Sequence, residues 1–345
     1  MRENNSGFKI EESQRQSWLS IAAVWAGGMI CVPCLMVGGV LAGGGLSLGQ
    51  IVLSILIGYG LICTYMICIG MQACDTGLPV SVMASGALGE KGARYIISTL
   101  LAIACVGWFG IQSATCGSAF ASMVANMLGT EASPVFVAAS SIVWGVIMLL
   151  TGALMSVVTG QYDISAILAS LGVPFVGLVA LVLATWTTNV TNAYSGGLAL
   201  SNLLGFDESK FKITTGVAGA IGTLLAAFGL LNAFQGFLSL MSALIPPLAG
   251  VLIASYWIVG KGKRENFSPR PGFSAVGVIS FAVGAAFACV TGGTFASFPG
   301  LVEAVPFLNR PFFVGPINGI VVSLVLYVAL AKLTAARPMP AKQTA

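Results

Sequence analysis

Polar side chains recur at a helical interval inside one apolar segment, Thr185 to Gly197, whose sequence is TWTTNVTNAYSGG. On a helix, the spacing i, i+3, i+4, i+7 and i+10 places five of them on one stripe, namely Thr185, Thr188, Asn189, Asn192 and Ser195. Hydroxyl and carboxamide groups on such a stripe can hydrogen-bond a ligand or present neutral oxygens to a cation. They can also simply bond a neighbouring helix, as Ser and Thr often do within membranes.

A second pair of side chains suits a flat ligand. Trp108 and Gln112 in the sequence GWFGIQ are four residues apart, so they lie on one face of a helix. The indole can stack on a planar heterocycle, while the carboxamide offers both a donor and an acceptor to the edge of the ring. Core packing would explain the tryptophan equally well.

The first apolar run contains helix breakers at its centre. In WAGGMICVPC, Gly27 and Gly28 precede Pro33. Proline removes a hydrogen bond from the helix and glycine tolerates unwinding, so backbone carbonyls are freed. Broken helices of this kind coordinate cations in transporters, although a simple proline kink would produce the same sequence.

The elements that carry these residues are predicted to be membrane helices. The 345-residue chain is 57% hydrophobic and 8% charged, and its continuous apolar runs are long enough to cross a bilayer. Histidine is absent and no acidic residue lies within a run, so an enzyme with acid–base, hydrolytic or metal chemistry is not expected. The net charge of +4 comes from loops and tails, which indicates membrane orientation and not nucleic-acid binding.

The apolar runs and their breakers predict nine helices. They lie at residues 17–41, 50–73, 95–127, 134–159, 171–200, 213–231, 234–259, 273–290 and 311–333. The segment 78–92 is too short and too interrupted by glycine to span a bilayer, and it indicates an amphipathic or re-entrant connection.

Lysine and arginine in the short loops predict which helix ends face the cytoplasm. Residues 1–16 and 336–345 are then cytoplasmic tails of a single transmembrane domain, 1–345. Nine crossings cannot satisfy every basic loop, because residues 134–159 would have to enter and leave on one face. Three explanations stay open, which are a re-entrant hairpin there, one wrong charge assignment, or a missing span.

Longer motifs in the chain resemble those of a known family. The chain resembles the nucleobase cation symporters, and within them the cytosine permease branch. The sequences that carry the resemblance are WTTNVTNAY, GWFGIQ, DTGLPVSVMASGALGEKG and NAFQGFLSLMSALIPPLAGVLIASYW. The resemblance covers most of the chain. It implies an all-α polytopic transmembrane bundle with the leucine-transporter-type fold, in which two inverted five-helix repeats belong to a total of twelve helices.

The resemblance also implies roles for particular residues. Substrate would contact Trp108 and Gln112 on the third helix, Asn189 and Asn192 on the eighth, and Gly28 on the first. Sodium would be held by carbonyls near Gly27 and Ile30, the carbonyl of Ala184, and the hydroxyls of Thr187 and Thr188. Cys105 stands where cytosine permeases tend to have a glutamine, which bears on the identity of the base.

One part of the family pattern is missing. The sequence IVWGVIMLLTGALMSVVTGQYDIS joins the fourth helix directly to the end of the seventh, so about nine spans are expected instead of twelve. The missing part would include the sixth helix, which is the broken partner of the first helix and forms a wall of the pocket.

These observations predict a symporter of cytosine or a related nucleobase in the cell inner membrane. Neutral oxygen ligands favour sodium as the coupling ion, since no histidine or acidic residue lies at membrane depth. No other cofactor, no nucleic acid and no obligate protein partner is expected, only a small nucleobase and the lipid bilayer. The alternative is a truncated family member that binds a ligand or a partner without transporting.

Overall fold

The computed structural model describes residues 10, 12–22, 45–140, 142–143 and 178–335. Within these ranges the ordered elements are helices, and no strand occurs. Seven are long: α1 (Leu48–Thr76), α2 (Ser98–Met127), α3 (Leu178–Leu204), α4 (Phe211–Ala227), α5 (Phe234–Ile253), α6 (Ala275–Thr291) and α7 (Gly315–Ala335). The predicted all-α class is confirmed.

Four helical stretches in the described ranges are long and apolar enough to cross a membrane, and α4 and α6 are shorter apolar helices of 17 residues. The four stretches are Leu48–Thr76, Glu90–Met127, Leu230–Val259 and Gly315–Thr334. Helix α3 has sufficient length, 27 residues, but it is not among them. Its threonines and asparagines lower its hydropathy, as expected of a helix that turns polar groups toward protein.

Seven of the nine predicted helices correspond to α1–α7, and their ends differ by a few residues. The helix predicted at 213–231 ends at Ala227, because the chain reverses through Gly229 at φ 84°. The helix predicted at 311–333 begins only at Gly315, since Phe313 has φ 49°. The helices predicted at 17–41 and 134–159 lie largely outside the described residues, which are helical at 18–22 and 134–140.

The short segment predicted between α1 and α2 forms three one-turn helices: Val80–Met83, Ser85–Leu88 and Glu90–Gly92. A π-helical turn, Ala93–Ile97, then leads directly into α2. Backbone hydrogen bonds tie this segment to the loop after α5, from Glu90 N to Arg270 O at 2.7 Å and from Ser274 N to Leu88 O at 2.7 Å. The segment is therefore a fixed part of the fold.

The chain divides into two compact units. The first comprises Met1–Ser13, Tyr59–Leu100 and Gly236–Ala345. Within it, α6 and α7 pack side by side, and Asn318 Nδ2 donates to Thr291 Oγ1 at 3.1 Å between them. Ser323 Oγ on α7 donates to the carbonyl of Pro247 on α5 at 2.8 Å.

The second unit comprises Gln14–Gly58 and Leu101–Gln235. In it α3 packs along α4, with the hydroxyls of Ser201 and Thr214 hydrogen-bonded at 2.6 Å in the buried contact. The loop between these helices is solvated, and hydrogen bonds from Ser209 lower the pKa of the Asp207 carboxyl. Helices α2 and α3 carry all the described candidate site residues.

Candidate functional site

Helix α2 approaches α4 closely at the GWFGIQ sequence. A Cβ atom added to Gly110 would lie 2.7 Å from Gly222 O, and one added to Gly222 would lie 2.7 Å from a ring carbon of Phe109. Only glycine permits this separation, because real Cβ contacts of that length do not occur. The close approach buries Phe109 completely and fixes the turn of α2 that carries Trp108 and Gln112.

Trp108 is partly buried and has an aromatic neighbour. Its ring lies 6.2 Å from that of Phe234, centroid to centroid, and the two planes make an angle of 77°. This edge-to-face contact stabilises one orientation of the indole by about 1 kcal/mol.

Asn189 joins α3 to α2. Its side chain is completely buried, and Nδ2 donates to the carbonyl of Phe109 and to Ser113 Oγ, each at 3.3 Å. The residue thus makes the helix-bridging contact that was one of the two roles expected of the polar stripe.

Gln112 differs from Asn189 in its hydrogen bonding. Its side chain is also 0% exposed, yet neither Oε1 nor Nε2 has a hydrogen-bond partner among the described residues. A buried polar group without a partner costs about 1–3 kcal/mol. A side chain that keeps two such groups can receive a partner that lies outside the described residues.

The other polar residues of the α3 stripe differ in how far their side chains are buried. Asn192 is partly buried, and its Nδ2 is a further buried donor without a partner in the part of the chain that the structure describes. Thr188 is partly buried, whereas Ser195 is exposed and does not share the inward face. The inward part of the stripe is therefore shorter than its spacing predicts.

Only part of the expected sodium site falls in the described ranges. Ala184 and Thr187 lie in α3 with their side chains outside the description, and Gly27, Gly28 and Ile30 lie outside the described residues altogether. The donors expected on α3 are one backbone carbonyl and two hydroxyls, which are neutral oxygens. That chemistry fits a monovalent hard cation such as sodium.

Three contributors escape the sequence reasoning. The Phe109 carbonyl and Ser113 anchor Asn189, and Phe234 orients Trp108. The sequence contains a signal for the two groups that bind Asn189, because Phe109 and Ser113 are four residues apart and share a face of α2. Which face meets α3 depends on the packing of the helices and not on their spacing in sequence.

The chain matches the model of the family described as "Permease for cytosine/purines, uracil, thiamine, allantoin" over residues 9–160 and again over residues 134–315. The two matches together extend over most of the chain. They overlap at residues 134–160, where the sequence predicts that the fourth helix joins the end of the seventh.

Curated relatives match a part of the chain. It is 32% identical to the cytosine permease of Escherichia coli strain K12 over 142 residues, which are 41% of this chain and 33% of that protein. It is 26% identical to the hydantoin permease of Microbacterium maritypicum over 151 residues, covering 41% of this chain and 29% of that protein. The matches thus span about a third of these relatives' length.

Solved structures share the fold. The closed conformation of Mhp1, a nucleobase-cation-symport-1 family transporter with bromovinylhydantoin bound, superposes with a TM-score of 0.60 at 16% identity, covering 92% of each chain. The inward-facing conformation of Mhp1 gives 0.51 at 18% identity, with 81% of this chain and 83% of that one covered. The leucine-transporter-type fold is thereby confirmed, and the chain is a multi-pass membrane protein. It belongs to the family of permeases for cytosine and purines, uracil, thiamine and allantoin.

Proposed function

We propose that this protein is a sodium-coupled symporter of cytosine or a related nucleobase in the cell inner membrane, working by alternating access. The observation that carries the proposal is the Gln112 carboxamide, which is completely buried with both polar atoms lacking partners among the described residues. Membership of the permease family supports it.

The unpaired amide specifies the edge of the ligand. Gln112 offers one acceptor and one donor side by side, and a cyclic amide edge presents the complementary N–H and C=O. Cytosine, uracil and hydantoins all carry such an edge. Trp108, one helical turn away and oriented by Phe234, supplies the flat surface on which their rings stack.

Asn192 adds a second recognition element. Its buried Nδ2 can donate to a further acceptor on the ligand, and it lies on α3 one turn beyond Asn189. Because Asn189 bridges to α2, the two helices that carry these amides are held together. This arrangement fixes the distance between recognition groups before the ligand arrives, which lowers the entropy lost on binding.

Sodium coupling follows from the donors proposed on α3. The Ala184 carbonyl and the Thr187 and Thr188 hydroxyls bind a cation without a change of protonation. The remaining proposed ligands are the carbonyls near Gly27 and Ile30, which lie outside the described residues. The same helix carries Asn189 and Asn192, so cation binding and substrate binding act on one element. Each ligand then raises the affinity for the other.

Uptake of radiolabelled cytosine into vesicles containing the full chain tests the proposal. We expect uptake that needs an inward sodium gradient, that falls to background when choline replaces sodium, and that excess unlabelled cytosine abolishes. Equal uptake in sodium and in choline would contradict sodium coupling, and absence of both uptake and binding would contradict the function.

A binding-only protein is the second candidate. It is favoured by the two family matches that overlap at residues 134–160, since a direct join there would omit helices of the transport cycle. Saturable cytosine binding to the purified chain without any uptake into vesicles would establish this candidate and exclude the symporter.

A further inference from the structure

A cavity of about 280 Å³ lies in the first compact unit, and none of its lining residues is among those proposed to bind the nucleobase. Its lining includes Gln72 near the end of α1, Tyr256 in the π-helical turn after α5, and Arg270 in the following loop. The volume is close to the lower limit for pockets that take small ligands.

Gln72 is the strongest sign that the cavity takes a ligand. Its side chain is 3% exposed, and its Oε1 accepts no hydrogen bond from any described residue. Two other polar groups of the lining are engaged, since the Tyr256 hydroxyl donates to Asp75 Oδ2 at 2.8 Å and Asn266 Nδ2 donates to Gly260 O at 2.9 Å. The cavity therefore offers a buried acceptor to a donor that lies outside the described residues.

The loop after α5, which forms part of the lining, is mainly basic, and Asp75 beside Tyr256 adds one negative charge at the other side of that tyrosine. The loop after α5 carries four basic residues, Lys261, Lys263, Arg264 and Arg270, and the single acid Glu265. Lys263 pairs with Glu265 at 3.4 Å, whereas the Arg270 side chain forms no salt bridge within the described ranges. Arg270 is thus the basic residue of this loop that lines the cavity without an acidic partner.

The length of α1 predicts that the cavity lies at the level of the lipid headgroups. Helix α1 has 29 residues and a length of about 43 Å, which exceeds the hydrocarbon core, and Gln72 lies in its last turns. Trp257, in the π-helical turn after α5, donates from Nε1 to Cys68 O on α1 at 3.0 Å. This bond joins the end of α1 to that turn. The basic loop predicts that these ends face the cytoplasm, where anionic lipids attract such loops.

The frame around Arg270 is rigid. Its N–H donates to Ser85 O at 3.2 Å and its carbonyl accepts from Glu90 N at 2.7 Å. These backbone bonds do not depend on the side chain, so the guanidinium is positioned by an independent structure. Replacement of the side chain tests the ligand contact and leaves the frame in place.

We propose that this cavity binds a phosphodiester headgroup that carries a hydroxyl, as in phosphatidylglycerol. The phosphate lies against the Arg270 guanidinium, and the hydroxyl of the headgroup donates to Gln72 Oε1. Arginine is suited to the phosphate because its planar fork donates two parallel hydrogen bonds. A phosphatidylcholine headgroup satisfies only the first contact, since it has no hydroxyl.

Native mass spectrometry of the purified full chain tests this assignment. The chain is titrated separately with phosphatidylglycerol, with phosphatidylcholine and with soluble sn-glycerol 3-phosphate. We expect phosphatidylglycerol to bind more tightly than phosphatidylcholine, and Arg270→Gln to weaken its binding about tenfold or more. Gln72→Leu is expected to remove the preference between the two lipids. Displacement of the lipid by glycerol 3-phosphate, lost in Arg270→Gln, would identify a soluble ligand of the same chemistry.

Lys263→Gln is the matched control, because it removes one positive charge from the same loop outside the cavity. It is expected to change binding by less than about twofold. Equal losses in Lys263→Gln and Arg270→Gln, or equal affinities for the two lipids in the unaltered protein, would overturn the proposal. If Arg270→Gln proves unstable, Arg270→Lys retains the charge without the planar fork and is expected to give an intermediate affinity.

Discussion

Gln112 and Asn189 are both carboxamides, both completely buried, and both placed on membrane helices of the same compact unit. They differ in what their polar atoms meet. The Asn189 Nδ2 bridges two helices through Phe109 O and Ser113 Oγ, whereas both Gln112 atoms lack a partner in the described ranges. Burial makes the two residues look equivalent, and hydrogen bonding separates them.

The hydrogen bonding of a buried amide, and not its burial, indicates whether it is placed to bind a ligand. A buried amide that bonds its neighbours adds to the stability of the bundle, so its removal is felt in folding. A buried amide without partners lowers that stability, and its presence needs a different explanation. Opposite effects on stability and on binding are therefore expected when each is replaced.

The largest effect is expected from Gln112→Leu. Replacement removes both recognition atoms and leaves the edge of a bound nucleobase unpaired, which should weaken cytosine binding by about 100-fold or more. The free energy of unfolding should stay equal or rise, because two unpaired buried groups are lost. Binding by scintillation proximity and unfolding in a mild detergent measure the two quantities.

Thr115→Val is the control for that substitution. Thr115 lies on α2 three residues further on, and its hydroxyl bonds Ile111 O within the helix at 2.8 Å. We expect cytosine affinity close to that of the unaltered protein. Loss of binding in both variants to the same extent would show that α2 tolerates no change here and would remove the special role of Gln112.

A smaller effect of a different kind is expected from Asn189→Leu. Two hydrogen bonds between α3 and α2 are lost, which should lower the free energy of unfolding by about 1–2 kcal/mol. The midpoint of unfolding in a denaturing detergent reports this change. An unaltered midpoint with abolished cytosine binding would reverse the comparison and make Asn189 the ligand-binding amide.

The smallest effect is expected from Ser113→Ala. It removes one of the two acceptors of Asn189 Nδ2 and leaves the Phe109 carbonyl in place. The free energy of unfolding should fall by about 0.6 kcal/mol, the average for a hydrogen bond between membrane helices. In a double-mutant cycle, Asn189→Leu and Ser113→Ala should be non-additive, and strict additivity would contradict their contact.

The helices themselves are predictable because hydropathy determines them. Long apolar runs must form helices in lipid, and α1, α2 and α6 begin and end within a few residues of the predicted positions. The π-helical turn at Ala93–Ile97 and the early end of α4 are not predictable in this way. They depend on local backbone conformations that hydropathy does not encode.

The site is predictable to a lesser degree. Residue type and spacing indicate Trp108, Gln112, Asn189 and Asn192, but not which amide bonds a helix and which is unpaired. That distinction depends on the rotation of α2 against α3, to which Ser113 and the Phe109 carbonyl contribute. The sequence GWFGIQS gives no sign of that rotation.

The contact between Gly110 and Gly222 has a consequence for the orientation of Trp108. Each position lacks the methyl group that would push α2 and α4 apart, so two absent carbon atoms set the separation of these helices two residues from the indole. Alanine at either position is expected to widen the gap between these helices and to tilt the indole. The proposed nucleobase would then lose part of its stacking contact with that ring.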